Sequence, residues 1–324
     1  MTETKDFLRK LKKPLFTGLV FGVSVIAALM IMADFKNVLQ VYYNMDLRFL
    51  PLILLLAPLN YFFRFIKWNY YLKLTGIFPD PRMNRYIFLS GLSMTITPGK
   101  LGELLKCYLL KEHMDAPVSR TSSIVMAERV TDALAVVVLA FCGFLAYPYG
   151  KIVVPVSAAI LFLFILFFHV DGLFNFLAEK TAVLSKNKLL QRGILFLTGF
   201  QRSAKILLAP RSLLFAVGIG VISWGFEGFV VYLAVIALGG EISLLASFFA
   251  VSFSSLLGAL SFLPGGLGVA EGSIMAILLL TGISSEIAAA ATIITRFSTL
   301  WLGVLIGIAG LALVQREFFK TKTP

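Results

Sequence analysis

The sequence predicts an all-α polytopic membrane protein, with about six full spans and two helix hairpins broken at Pro-Gly. Three observations predict it. Hydrophobic residues make up 59% of the 324-residue chain and charged residues only 14%, against roughly 25% charged in soluble domains. The apolar residues fall into runs long enough to cross a bilayer. A Pro-Gly break beside a glutamate occurs twice inside such runs, as TPGKLGE at 97–103 and LPGGLGVAE at 263–271.

The elements come in this order. Lys5, Arg9, Lys10, Lys12 and Lys13 precede an apolar run near 14–33. The run has the charge pattern of a signal peptide, but its length and the lack of an A-x-A site favour a retained first span. Further spans fall near 48–70, 121–146, 151–169, 211–238 and 286–314. The segments near 84–112 and 243–282 are equally apolar but are interrupted by Pro98 and Pro264. Proline removes a backbone donor and clashes with the preceding turn, so each reads as two half-helices in a re-entrant hairpin. Non-helical backbone at membrane depth needs surrounding protein or a polar cavity. Between the halves, residues 172–208 mix Lys180, Lys186, Lys188, Arg192, Arg202 and Lys205 with apolar clusters. This segment reads as an amphipathic cytoplasmic linker on an anionic leaflet.

The formal net charge is +12, yet its distribution points away from nucleic acid. With the N-terminus inside and each hairpin returning to its own side, only Lys36, Arg48 and Lys151 fall outside. Arg64, Arg129 and Arg296 fall within spans, and all other basic residues, Lys67 and Lys106 among them, count as cytoplasmic. That is the positive-inside pattern, with both termini in the cytoplasm and the cytoplasmic membrane as location. It also sets the two hairpins on opposite sides. The chain then reads as a single domain, 1–324, whose halves at about 48–146 and 211–314 form an inverted repeat. Pro98 to Arg129 spans 31 residues and Pro264 to Arg296 spans 32, which supports duplication.

Ionisable side chains inside a bilayer are costly unless paired or hydrated, which makes each a candidate. Glu128, Arg129 and Asp132 share one arc of the 121–146 helix. Two acids and one base require a further cation, and internal symmetry nominates Arg296. Thr292, Thr295 and Thr299 surround Arg296 in sequence, and a guanidinium among hydroxyls suits a phosphate. Glu227 needs a distant partner or a proton, while Arg64 sits near enough to the cytoplasmic end to snorkel. At the breaks, Gly99, Gly102, Gly265, Gly266 and Gly268 allow close backbone approach, and the amides after each break could meet an anion. Glu103 and Glu271, just beyond, either cap those amides or carry protons. Gly18/Gly22 and Gly303/Gly307 are small-residue pairs of the helix-packing kind. The string GKLGE lacks P-loop spacing, Cys107 and Cys142 have no zinc or disulfide pattern, and no hydrolytic motif stands out. Neither a metal nor another cofactor is expected.

With TPGKLGELLK, ERVTDALA and LPGGLGVAEG in this order, the chain resembles the lysylphosphatidylglycerol synthase transmembrane-region family of flippase-like membrane proteins. The likeness covers roughly residues 15–315. It implies that Pro98, Gly99, Gly102, Glu103, Glu128, Arg129, Asp132, Pro264, Gly265, Gly266, Gly268 and Glu271 are motif positions; Arg296 comes from the internal repeat instead. Bifunctional members of the family join this region to a soluble aminoacyl-transferase domain, and the membrane region is regarded as moving the charged lipid between leaflets. Only a short tail comes after the last span here, so that domain is expected to be missing and the chain to be no enzyme.

The resulting expectation is a flippase of an anionic lipid, either a phospholipid or a polyprenyl-phosphate-linked intermediate. Arg129, Arg296 and the glycine amides would bind the headgroup. Glu103, Glu128, Asp132, Glu271 and Glu227 would balance charge or couple protons. Two alternatives stand beside it: an accessory subunit for a separately encoded glycosyl- or aminoacyl-transferase, and a membrane-embedded headgroup-modifying enzyme.

Overall fold

The computed structural model describes residues 2–144, 153–169 and 188–320, and every regular element among them is helical. The first helix, α1 (Thr2–Met32), begins in the basic N-terminal segment instead of after it. It ends at Asp34, whose φ of 61° turns the chain and whose carboxylate accepts the Lys36 N–H. Helix α2 (Phe35–Tyr43) leaves at 94° to the apolar part of α1.

Helix α3 (Leu50–Leu74) has 25 residues, about 37 Å of rise, enough to cross a hydrocarbon core of about 30 Å. Asp80 then caps α4 (Pro81–Leu92) by accepting the Arg82 and Met83 N–H groups. Those bonds, that from Met83 foremost, hold its carboxyl below the usual range. A 3-10 segment, Pro98–Leu104, carries the chain through the first break into α5 (Leu105–Met114). With 12 and 10 residues, α4 and α5 are each too short to span, and they pack against each other.

Helix α6 (Val118–Phe144) has 27 residues and carries Glu128, Arg129 and Asp132 near its middle. The next, α7 (Val153–His169), has 17. Residues 170–187, with the linker's Lys180 and Lys186, lie outside the described residues. The remainder of the linker is α8 (Lys188–Leu207). It packs on α6, and Ala204 and Leu207 are buried in the core, so one of its faces serves the protein interior.

Helix α9 (Pro210–Ala237) has 28 residues and runs beside α3. The second broken segment comes next: α10 (Leu244–Leu260), a turn at Pro264–Gly266, and α11 (Val269–Leu280), folded back on α10. Positive φ at Gly265, Gly266 and Gly268 explains the glycines there. The last span is α12 (Ser285–Arg296), a π-helical turn at Phe297–Trp301, and α13 (Leu302–Lys320). Tyr61 donates its hydroxyl hydrogen to the Thr299 carbonyl inside that turn, at 2.8 Å.

Packing joins the first half to the second. Helix α4 lies against α13, α6 lies against α10, and the two Pro-Gly turns touch. Both main apolar clusters take residues from the two halves. Small residues set the closest approach: a Cβ on Gly307 would sit 2.0 Å from the Ser93 nitrogen, and one on Gly310 2.9 Å from that of Ser90. Gly18 and Gly22 likewise admit the Ile96 carbonyl and the Trp301 ring to α1. Without a hydrophobic drive between helices in lipid, such backbone contact is what dispersion can reward. Gly307→Leu is therefore expected to lower the thermal midpoint of the purified protein by roughly 3 °C or more. Gly218→Leu, whose Cβ meets nothing within 4 Å, should leave it unchanged in the same melt.

Candidate functional site

On α6, Glu128 and Asp132 are four residues apart, yet each carboxylate finds a different lysine. Lys106 of α5 reaches Glu128 at 2.6 Å, approaches Glu103 at 4.0 Å, and lies 4.3 Å from the Trp68 ring centre. Lys67 of α3 binds Asp132 directly. Both lysine side chains are buried, at 4% and 1% exposed.

Asp132 also receives Arg129 at 3.0 Å and Arg64 at 3.7 Å, so one carboxylate serves three cations. Arg129 reaches Glu103 as well, at 3.3 Å. Its Nε is buried with no acceptor among the described residues, an unmet donor of the sort that calls for an explanation.

The second half is simpler. Arg296 places Nε 2.6 Å from Glu271 and donates through Nη2 to the Gly265 carbonyl at 2.8 Å. Glu271 turns its other oxygen back to accept the Gly268 N–H at 2.7 Å, the carboxylate half of a capping box at the start of α11, whose glycine N-cap has no side chain to supply the other half. In each half, then, the glutamate after the Pro-Gly break meets that half's own arginine. Glu227 accepts from Asn60 Nδ2 at 2.7 Å, and Ser223 donates to the same Asn60 side chain at 2.8 Å.

These groups surround a cavity of about 280 Å³. Arg64, Arg129, Arg296, Asp132 and Glu227 supply its charges, and Tyr61, Thr95, Trp224 and Thr299 add polar or aromatic edges. Gly99 comes from one break and Gly265 and Gly266 from the other, so the cavity lies where the two breaks meet. Five cations, Arg64, Lys67, Lys106, Arg129 and Arg296, and five carboxylates, Glu103, Glu128, Asp132, Glu227 and Glu271, leave the cluster with no formal net charge.

Several expectations from sequence need correction. The cations that answer Glu128 and Asp132 are Lys106, Lys67 and Arg64; Arg296 is held by Glu271 instead. Arg64 does not snorkel, because its side chain is only 12% exposed and turns inward to Asp132 and the cavity. Lys67 and Lys106 are interior, not cytoplasmic. The amides of Gly102, Gly266 and Gly268 are committed to Thr97 Oγ1, the Leu263 carbonyl and Glu271. They stabilise the breaks and are not offered to a ligand. The hydroxyls of Thr292, Thr295 and Thr299 bond back to their own helix at Ala288, Ala291 and Thr295; only Thr299 borders the cavity.

Two signals in the chain point to the missed lysines. Lys106 stands three residues after Glu103 within an apolar run, and Lys67 comes after Arg64 by the same interval among aromatics. Spacing of i to i+3 sets such pairs on one face.

An all-α, multi-pass membrane architecture with an ion-paired cavity between broken helices defines a class of integral membrane protein. Residues 18–307 match the family described as "Lysylphosphatidylglycerol synthase TM region", and the chain belongs to that family. A UPF0104 membrane protein of Methanocaldococcus jannaschii is 30% identical over 231 residues, covering 70% of this chain and 95% of the relative. One from Pyrococcus horikoshii is 22% identical over 317 residues, covering 89% and 94%. Another, from Methanothermobacter thermautotrophicus, is 24% identical over 268 residues, covering 76% and 79%.

Removing one partner of a buried ion pair costs about 3–5 kcal/mol, whereas removing both is often near neutral. Lys106→Met alone should therefore lower the thermal midpoint strongly. The double variant Lys106→Met/Glu128→Gln should recover most of the loss, as read by a double-mutant cycle of melts in detergent.

Proposed function

We propose that this protein moves an anionic lipid across the cytoplasmic membrane, with the phosphate of the headgroup held in the cavity between the two Pro-Gly breaks. The observation that carries this reading is the set of three guanidiniums, Arg64, Arg129 and Arg296, lining one cavity. A guanidinium presents a planar fork of donors matched to phosphate oxygens, and a low-dielectric setting strengthens each contact. Arg129 is the best placed of the three, since its Nε is unmet and its carboxylate partner is already shared. Asp132 retains Lys67 and Arg64 when Arg129 turns to the ligand.

We read the halves at about 48–146 and 211–314 as an inverted repeat that exposes the site alternately to each side, with both termini cytoplasmic. Support comes from the matched contacts: α4 on α13 mirrors α10 on α6, and each half pairs its own Glu with its own Arg. The carboxylates Glu103, Asp132, Glu227 and Glu271 balance the cations while the site is empty, and Glu103 and Glu227 take up protons when a phosphate adds negative charge. A phospholipid and a polyprenyl-phosphate carrier both fit this chemistry.

The test is transport by the reconstituted full chain, using anionic phospholipid with a fluorescent headgroup and dithionite added outside. Charged hydrogen bonds contribute about 1.5–3 kcal/mol each. Arg129→Ala and Arg296→Ala should each slow exchange by at least about 10-fold while the protein stays monodisperse. Wild-type rates in both variants would remove the site from the mechanism.

A further inference from the structure

The charged groups account for only part of the cavity. Part of its apolar lining comes from one continuous stretch, the end of α10 and the turn after it: Leu256, Ala259, Phe262 and Leu263. Two of these residues belong to the cavity and to the outer surface at once. Phe262 lines the cavity yet is 74% exposed, and Leu263 lines it while 38% exposed. The cavity therefore reaches the exterior between them, and neighbouring Leu260 continues the apolar surface outward at 57% exposed.

Phe262 is also held there against its backbone preference. Its φ is +53°, a region an aromatic L-residue seldom adopts and glycine takes freely. The turn is pinned on both sides of it: Ser261 donates to the Gly258 carbonyl at 2.7 Å and accepts the Leu263 N–H at 3.2 Å. Backbone strain kept by surrounding bonds at a cavity mouth is a mark of a functional position.

We propose that this mouth is a lateral portal. The hydrocarbon tail of the substrate passes out between Phe262 and Leu263 into the bilayer while the phosphate stays at the guanidiniums. The inference rests on the transport reading above and narrows it: the ligand is a phosphate amphiphile with a chain, not free phosphate. A mouth of Phe and Leu opening from a charged pocket matches one molecule that is charged at one end and apolar at the other. A soluble anion would gain nothing from such a lip, and water entering past it would weaken every charge contact within.

Two measurements test it. In the proteoliposome assay, Phe262→Asp should slow lipid exchange by at least about 10-fold, because it puts a charge where the chain must pass. Phe78→Asp, which puts the same charge on an exposed aromatic that does not line the cavity, should keep exchange at the wild-type rate. In detergent, phosphatidic acid with a diazirine in its acyl chain should crosslink to the peptide containing Leu260–Leu263. A wild-type rate for Phe262→Asp, with the crosslink mapping elsewhere, overturns the portal and leaves the transport reading standing. If the wild-type protein moves no anionic lipid, the transport reading falls, and the crosslink decides the portal by itself. Uptake of radiolabelled inorganic phosphate without lipid exchange would overturn both.

Discussion

Asp132 is the point on which the interior depends. One carboxylate on α6 receives Lys67 and Arg64 from α3 and Arg129 from its own helix. A lone charge in a low-dielectric interior is expensive, and attraction offsets that cost only when partners are close and well oriented. With three cations around one acid, neither α3 nor α6 can shift alone without exposing a charge to apolar surroundings. The second lysine, Lys106, ties α5 to α6 in the same way. These links fix the first half around the break at Pro98–Leu104, and so fix where Arg129 faces.

The breaks themselves arise from chain chemistry. Pro98 and Pro264 each open a short 3-10 turn after a helix has ended, and Gly99, Gly265, Gly266 and Gly268 beyond them take dihedrals that other residues rarely adopt. A Cβ at Gly266 would come within 3.0 Å of the Gly258 Cα, so the turn lies directly on α10. What remains between the turns is the cavity of about 280 Å³, lined with charge. Glu271 does two tasks at one of these turns, completing the cap of α11 and holding Arg296. The cap makes the carboxylate immobile, and the arginine inherits that position.

Much of this is legible in the sequence. Long apolar runs mark the spans, Pro98 and Pro264 mark the breaks, and Glu103, Arg129, Glu271 and Arg296 stand out as charges inside apolar surroundings. The pairing of each Glu with its own Arg is not legible, because nothing in the spacing says which of several acids a guanidinium will meet. Lys67 and Lys106 are misplaced by sequence for a related reason. A count of basic residues near helix ends treats every lysine as a loop charge, and the partner of Lys67 lies on a distant part of the chain. The amides of Gly102, Gly266 and Gly268 are overvalued for the opposite reason: a turn looks open in sequence, but Thr97, Leu263 and Glu271 claim those donors. The linker's inward face is masked because its many basic residues dominate the pattern and hide the apolar periodicity of its second half.

The π-helical turn at Phe297–Trp301 has a geometric result. On an unbroken α-helix, Arg296, Gly303, Gly307 and Gly310 would fall within an arc of about 60°. The wide turn takes up one more residue than an α turn and rotates the rest of the span by roughly 100°. Gly307 and Gly310 thereby face α4 while Gly303 and the guanidinium keep to the cavity, and Tyr61 occupies the carbonyl that the wide turn releases. One helix thus holds two contacts in different phases. Moving the wide turn along the chain would swing the arginine against a stationary glycine row, reorienting a charge with no sliding of the span.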